Sequence, residues 1–210
     1  MLPLSSLLLF VGAALALLLV PGPAVLYITT RSMTQGRRAG LVSALGVATG
    51  SAVHVIAAAL GLSALLASSA VAFSAVKWAG AGYLVWLGVR RIFSRETTGA
   101  ASATPKASLG ALYRQGVLVN MLNPKTALFF LAFLPQFVDP ARGGAVPQIL
   151  LLGLLFSFMG LATDSLYALG ADRAASVLRR SPRASRSGRY VSGGVYIGLG
   201  IATAFAGARK

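Results

Sequence analysis

The stretch 17–30, LLLVPGPAVLYITT, interrupts a long apolar run with Pro21, Gly22 and Pro23. Proline removes a backbone donor and clashes with the preceding turn, so a helix that contains this stretch must open or kink. In lipid, opened backbone is tolerated only where it is buried in protein or faces a polar cavity. The stretch therefore predicts a broken transmembrane helix.

A second apolar run is interrupted at Asn120, Asn123 and Pro124, and the text that follows, NPKTALFFLAF, is a variation on PGPAVLYI. Broken helices at corresponding positions of two halves are typical of the binding sites of secondary transporters. The two breaks therefore predict one site built from both halves of the chain.

The composition is that of a membrane protein. Only 11% of the 210 residues are charged and 56% are hydrophobic, whereas soluble domains carry about 25% charged residues. The net charge of +15 comes from 19 Lys and Arg residues, most of them in connectors between apolar runs, so we expect no nucleic-acid partner. The absence of cysteine excludes disulfides and thiol redox chemistry. The N-terminus, MLPLSSLLLF, lacks the basic region of a signal peptide, so we expect the first helix to be retained.

Six apolar segments are long enough to cross a bilayer, which takes about 20 residues. We therefore predict an all-α integral membrane protein with six transmembrane helices, of which the first and fourth are broken. The predicted spans are 4–30, 41–66, 71–93, 113–137, 146–170 and 190–207.

The basic connectors set the predicted orientation. Most of the Lys and Arg residues follow spans one, three and five, so these connectors are expected in the cytoplasm and both termini outside. Three spans per half then make any repeat inverted. We predict one transmembrane domain, 1–210, with repeat one at 1–93, a cytoplasmic linker at 94–112 and repeat two at 113–210.

The breaks supply the candidate substrate-binding or gating residues. A broken helix exposes N–H groups at the positive end of its second half, where the carboxylate of an amino acid can bind. Asn120 and Asn123 add amide donors and acceptors, and Lys125 either adds charge near the midplane or snorkels to the interface. The candidates are Pro21, Gly22, Pro23, Asn120, Asn123, Pro124 and Lys125.

Two ionisable residues inside spans are candidates for proton coupling. His54 lies near the middle of span two. It either transfers protons or contacts the substrate, or it forms a hydrogen bond between helices. Asp164 is the one acid inside an apolar span. It either faces the interior, or lies hydrated at the cytoplasmic end of span five beside an arginine such as Arg173.

No Walker loop, HExxH or GxSxG motif is present, so the sequence predicts no ATP hydrolysis, metal site, cofactor or enzymatic activity. Ser51 lies one helical turn before His54, which leaves an intramembrane hydrolase as a remote alternative. Glycines spaced as GxxxG, such as Gly46 and Gly50, indicate a tightly packed bundle and serve packing within the chain or a homodimer equally well.

Four features of the sequence are specific when taken together: the PGP break, the span-two GxxxG followed by His, AGAGYLVWLGVRRI, and GVLVNMLNPKTALFFLAFLPQFVDP. They resemble the lysine exporter family of amino acid translocators, the LysE/RhtB type. The resemblance implies a bacterial inner-membrane exporter that uses the proton gradient to move amino acids or related metabolites, with its transport centre at the PGP and NPK breaks. The implied partners are an amino acid substrate, protons and membrane lipids. The shortage of acidic residues inside the spans favours a neutral amino acid over a dibasic one. A channel, the hydrolase and a membrane adaptor that tolerates Pro21→Ala and Asn123→Ala are the alternatives.

Overall fold

The computed structural model describes residues 2–62, 70–93, 107–139, 141 and 143–180, with the isolated positions 190, 197, 198, 201 and 204. All regular structure in this described part is helical. The end of predicted span two, most of the predicted linker and most of predicted span six lie outside the described residues.

Seven α-helices are described. They are α1 (Leu4–Leu19), α2 (Pro23–Gln35), α3 (Arg37–Ala57), α4 (Ala70–Phe93), α5 (Leu109–Met121), α6 (Pro124–Leu128) and α7 (Ala145–Arg180). A π-helical turn, Ala58–Leu62, extends α3, while α6 continues as the π-helical segment Phe129–Phe133 and the 3-10 segment Leu134–Phe137.

Both predicted helix breaks are confirmed. Val20 and Gly22 have extended backbone, and α2 starts at Pro23, where the missing N–H costs no hydrogen bond. The chain bends by 53° between α1 and α2 and by 46° between α5 and the segment that begins at Pro124. The local sequence therefore sets the geometry of each break.

Among the described residues, two helical stretches are long and apolar enough to cross a membrane on their own, Arg37–Gly61 and Ala145–Ala171. The number rises to four if each bent pair counts as one span. The helical membrane architecture is therefore confirmed, and the count of six spans stays a prediction.

Helix boundaries differ from the predicted spans where a cap decides the end. Ser108 accepts a hydrogen bond from the backbone N–H of Ala111 at 3.3 Å, so α5 begins at Leu109, four residues before the apolar run. Gly36, with φ of 88°, separates α2 from α3 in a backbone conformation that favours glycine. At its other end, α7 runs to Arg180, beyond the predicted end of span five, because helix-forming residues continue after the apolar run.

Two apolar clusters form the interior. The larger cluster contains residues from α1, from α7 and from the segment that follows α6, and it includes a group of aromatic rings. The rings of Phe129 and Phe156 stack at 4.5 Å between centroids, and Phe10 contacts Phe129 at 5.8 Å. The smaller cluster contains Ala24, Ile28, Ala44, Val47 and Ala168 from α2, α3 and α7.

Glycines let α3 and α5 touch backbone to backbone. A Cβ added at Gly46 would collide with the carbonyl oxygen of Tyr113, and one at Gly50 would lie 2.6 Å from that of Val117. From the facing helix, Gly116 approaches the carbonyl oxygen of Ser43 in the same way. The glycines of the first GxxxG motif therefore serve packing within the chain.

We predict that Gly46→Ala lowers the free energy of unfolding by about 1–3 kcal/mol, because the new methyl group meets a backbone carbonyl that cannot move aside. Gly12→Ala is the matched control, since a Cβ at Gly12 meets nothing within 4 Å. Equilibrium unfolding in mixed detergent micelles measures both variants. Equal stability of the two would refute the close α3–α5 contact.

Candidate functional site at the two helix breaks

A buried cavity of about 30 Å³ lies where the two helix breaks meet. This volume has room for about two water molecules and is far below the roughly 300 Å³ at which typical ligand sites begin. Its polar lining comes from both halves of the chain and consists of Ser51, Asn120, Asn123, Lys125, Thr126 and Asp164. Burial of so many polar groups inside a helical membrane protein marks this place as the candidate site.

The carbonyl end of α1 is capped by side chains from distant helices. The Lys125 ammonium donates to the carbonyl oxygen of Val20 at 2.5 Å, and the Tyr167 hydroxyl donates to that of Leu19 at 2.7 Å. The last carbonyls of a helix have no partner within it, and an unsatisfied carbonyl in lipid costs several kcal/mol. These two contacts therefore make the first break stable and tie it to α6 and α7.

Asn120 connects the other elements around the cavity. Its amide nitrogen donates to the carbonyl oxygen of Val47 at 2.9 Å and to the Ser51 hydroxyl at 2.8 Å. Its amide oxygen accepts from Asn123 at 3.3 Å and from the Thr126 hydroxyl at 2.9 Å. An amide has two donor hydrogens and two acceptor lone pairs, so the protein already uses the full capacity of Asn120.

His54 caps the end of α5 beside the cavity. Its Nε2 lies 2.9 Å from the carbonyl oxygen of Asn120, and its ring stacks on Phe130 with centroids 6.0 Å apart. Because a carbonyl oxygen only accepts, Nε2 carries the hydrogen in this contact. This arrangement corresponds to the predicted hydrogen bond between helices. In the described part of the chain Ser51 and His54 each bond to Asn120, and they do not bond to each other.

The caps on the two breaks occupy equivalent positions. Leu19 and Asn120 each precede by four residues the proline at which the second half-helix starts, Pro23 or Pro124. Tyr167 on α7 bonds the carbonyl of Leu19, and His54 on α3 bonds that of Asn120. One helical turn before each capping residue, Asp164 and Ser51 line the cavity.

The two half-helix N-termini differ. Asn123 caps α6, because its side-chain oxygen accepts from the backbone N–H of Lys125 at 3.1 Å. Gly22 offers no side-chain cap to α2, whose first internal bond runs from the N–H of Leu26. The N–H groups of Ala24 and Val25 thus have no acceptor within the helix, and both residues line the cavity.

Two opposite charges face the cavity. Lys125 and Asp164 are each 7% exposed, and their charges attract each other. The Lys125 ammonium bonds Val20, whereas Asp164 forms no hydrogen bond or ion pair with any described residue. Asp164 therefore faces the interior, which is the first of its two predicted placements, and its carboxylate has no direct partner there.

Of the predicted site residues, five line the cavity: Gly22, Asn120, Asn123, Lys125 and Asp164. Pro21, Pro23 and Pro124 adjoin these residues in the breaks, and His54 lies one turn from the lining residue Ser51.

Tyr167, Thr126 and Phe156 at this site were not predicted, and neither were the lining residues Leu18, Ala24, Val25 and Val47. Tyr167 lies one helical turn after Asp164 and Thr126 lies next to Lys125, so spacing from the predicted residues was a usable signal. Phe156 carried no signal, because it is one of many phenylalanines in apolar runs.

The described residues contain no group of three or more His, Cys, Asp or Glu side chains that could hold a metal ion. The chemistry of the cavity is that of hydrogen-bond donors, one ammonium and one carboxylate.

Several known proteins are similar to this chain in sequence. An uncharacterised membrane protein of Vibrio cholerae serotype O1 is 34% identical over 191 residues, covering 90% of this chain and 91% of that protein. A homoserine/homoserine lactone efflux protein of Salmonella typhimurium is 30% identical over 188 residues, 90% of each chain. A leucine efflux protein of the same organism is 31% identical over 131 residues, 62% of each chain.

No solved structure is significantly similar to this chain. The family model described as LysE type translocator matches residues 15–207, nearly the whole sequence. Two helix breaks joined at a buried polar cavity thus occur in a protein with efflux proteins among its relatives, and the chain belongs to the LysE type translocator family.

Proposed function

We propose that this chain is a secondary transporter that exports amino acids or related small metabolites from the bacterial cytoplasm by proton antiport. The observation that carries the proposal is the buried cavity between the two helix breaks, with an ammonium and a carboxylate in its lining. Buried charges inside a membrane are costly and mark substrate or proton pathways. The efflux activity in the names of two relatives supports the same function.

The carboxylate of the substrate binds at the N-terminus of α2 in this proposal. The N–H groups of Ala24 and Val25, which have no acceptor within their helix, and the positive end of the helix dipole favour an anion there. Lys125 adds a positive charge to the same cavity. The N-terminus of α6 is less suited to this role because Asn123 already caps it.

In this proposal the chain crosses the inner membrane six times, three times in each half. Both termini lie outside. An inverted repeat is supported by the equivalent caps that Tyr167 and His54 place on the two breaks. Each half then supplies one broken helix and one capping helix to the midplane site, and rocking of the halves opens it to either side. The cavity of about 30 Å³ corresponds to a closed state between these openings.

Proton coupling is assigned to Asp164 in preference to His54. The Asp164 carboxylate lies at the cavity without a direct partner among the described residues, whereas the His54 Nε2 bonds a backbone carbonyl. The charge of Lys125 on α6 acts on Asp164, and Asp164 in turn acts on Tyr167 of its own helix. A carboxylate in this position can carry a proton inward while the substrate moves outward.

We predict that proteoliposomes loaded with labelled leucine or homoserine release it saturably, and faster when the outside is acidified. External acid drives protons inward, which is the direction that exchange with an outgoing substrate requires. Asp164→Asn abolishes the acceleration, while His54→Ala retains it. Asp139→Asn, the same change in a connector, is the matched control.

The outcomes of this flux experiment separate the alternatives. Release that never saturates and ignores the pH gradient would indicate a channel and contradict the proposal. Acceleration that survives Asp164→Asn but not His54→Ala would move the proton site to His54. If none of a broad panel of amino acids is released, the protein is not an amino acid exporter.

We also predict that Pro23→Ala and Pro124→Ala lower transport to a similar extent, each by roughly tenfold or more, which corresponds to about 1.4 kcal/mol. Each substitution restores an N–H at a break and allows the helix to run on, so both halves of one site are altered alike. Pro147→Ala, in the first turn of α7, is the control. Flux per folded molecule, measured after size-exclusion chromatography, separates transport from folding; full activity of either break variant would contradict the shared site.

A further inference from the structure

The carboxylate of Asp164 is the one buried charge of the cavity that has no direct partner among the described residues. It lies on α7, is 7% exposed and lines the cavity. The other charge, the Lys125 ammonium, already donates to the carbonyl oxygen of Val20. A buried carboxylate is stabilised by a hydrogen-bonded cation or by a proton. Lys125 attracts Asp164 through its charge but does not bond to it, so the Asp164 carboxylate can accept a hydrogen bond from a small cation.

A position for an anion lies in the wall of the same cavity. The N–H groups of Ala24 and Val25 at the start of α2 have no acceptor in their helix, and Gly22 supplies no side-chain cap. Helix α2 has 13 residues, long enough to sustain a dipole. An anion position and a cation position in one small cavity match the two charged ends of an α-amino acid zwitterion.

Part of the remaining wall is apolar, and the polar side chains beside it, Ser51, Asn123 and Thr126, are hydrogen-bonded to Asn120. Leu18, Val25, Val47 and Phe156 contribute side chains to the lining. Asp164 is the sole acid among the described lining residues, so a second ammonium group on the substrate would have no counter-charge. The wall therefore suits a neutral, apolar side chain better than a basic one.

We propose that Asp164 binds the α-ammonium group of a neutral amino acid whose carboxylate lies at the N-terminus of α2, beside Lys125. This assignment rests on the proposed export function and adds the orientation and class of its substrate. The amino acid lies between α2 and α7, so its binding draws together one helix from each half. Since the closed cavity holds only about two water molecules, the halves separate before the substrate enters.

The test uses purified full-length protein and three probes that share one side chain: leucine, leucinamide and 4-methylpentanoate. Leucinamide keeps the ammonium group and lacks the carboxylate, while 4-methylpentanoate keeps the carboxylate and lacks the ammonium group. Isothermal titration gives Kd for each probe. In the unsubstituted protein we expect leucine to bind roughly 10- to 100-fold more tightly than either analogue, because each analogue leaves one charged hydrogen-bonding position empty.

Asp164→Asn isolates the ammonium position. We expect its preference for leucine over 4-methylpentanoate to fall to within about threefold, while its preference for leucine over leucinamide persists. Asp164→Glu restores the first preference in part, because it returns the carboxylate. Asp139→Asn, an acid in the connector before α7, changes neither ratio.

A role of Asp164 in folding alone would weaken all three probes together and leave both ratios unchanged, which would overturn the inference. Failure of the unsubstituted protein to bind leucine, or equal binding of the three probes, would overturn it too. The flux panel decides the export function separately. If amino acids are exported but Asp164→Asn leaves both affinity ratios unchanged, the export function stands and only the assignment of the ammonium group to Asp164 is wrong.

Discussion

The hydrogen bond from the Lys125 ammonium to the carbonyl oxygen of Val20 joins the two broken helices of this protein. A helix that ends within the membrane leaves carbonyl groups without partners, and lipid offers none. Lys125 belongs to the second break and satisfies a carbonyl of the first. Neither break is therefore an independent element: each has its backbone completed by side chains from elsewhere, and the cavity is the space left between them.

The capping residues make this arrangement nearly symmetric. Tyr167 and His54 come from the long helices α7 and α3 and bond carbonyls at matching positions of α1 and α5. The symmetry ends at the cavity, where one half supplies Lys125 and Asp164 and the other supplies Gly22, Ala24 and Ser51. Because one half contributes charged side chains and the other contributes small, uncharged residues, the cavity can distinguish the two ends of the proposed zwitterionic substrate.

Much of this site could be predicted from the sequence because proline and charge are informative in apolar surroundings. Pro21, Pro23 and Pro124 fixed the two breaks through local backbone chemistry, and Lys125 and Asp164 stood out because ionisable residues are rare in lipid. The partner of Lys125 could not be predicted, because it is a backbone carbonyl far away in sequence. The hydrogen bonds of Asn120 to α3 could not be predicted either. They depend on how closely α3 approaches α5, and that distance is set by the packing at Gly46, Gly50 and Gly116.

The most direct test asks whether one substrate occupies both breaks. Because the chain has no cysteine, single cysteines in place of Ala24 on α2 and Thr126 on α6 can be labelled without background by a small, water-soluble thiol reagent. The account predicts that leucine slows labelling at both positions with the same concentration dependence, while a cysteine at Gly12 is unaffected. Protection at one position only, or at neither while leucine is transported, would contradict the claim that the two helix breaks form a single site.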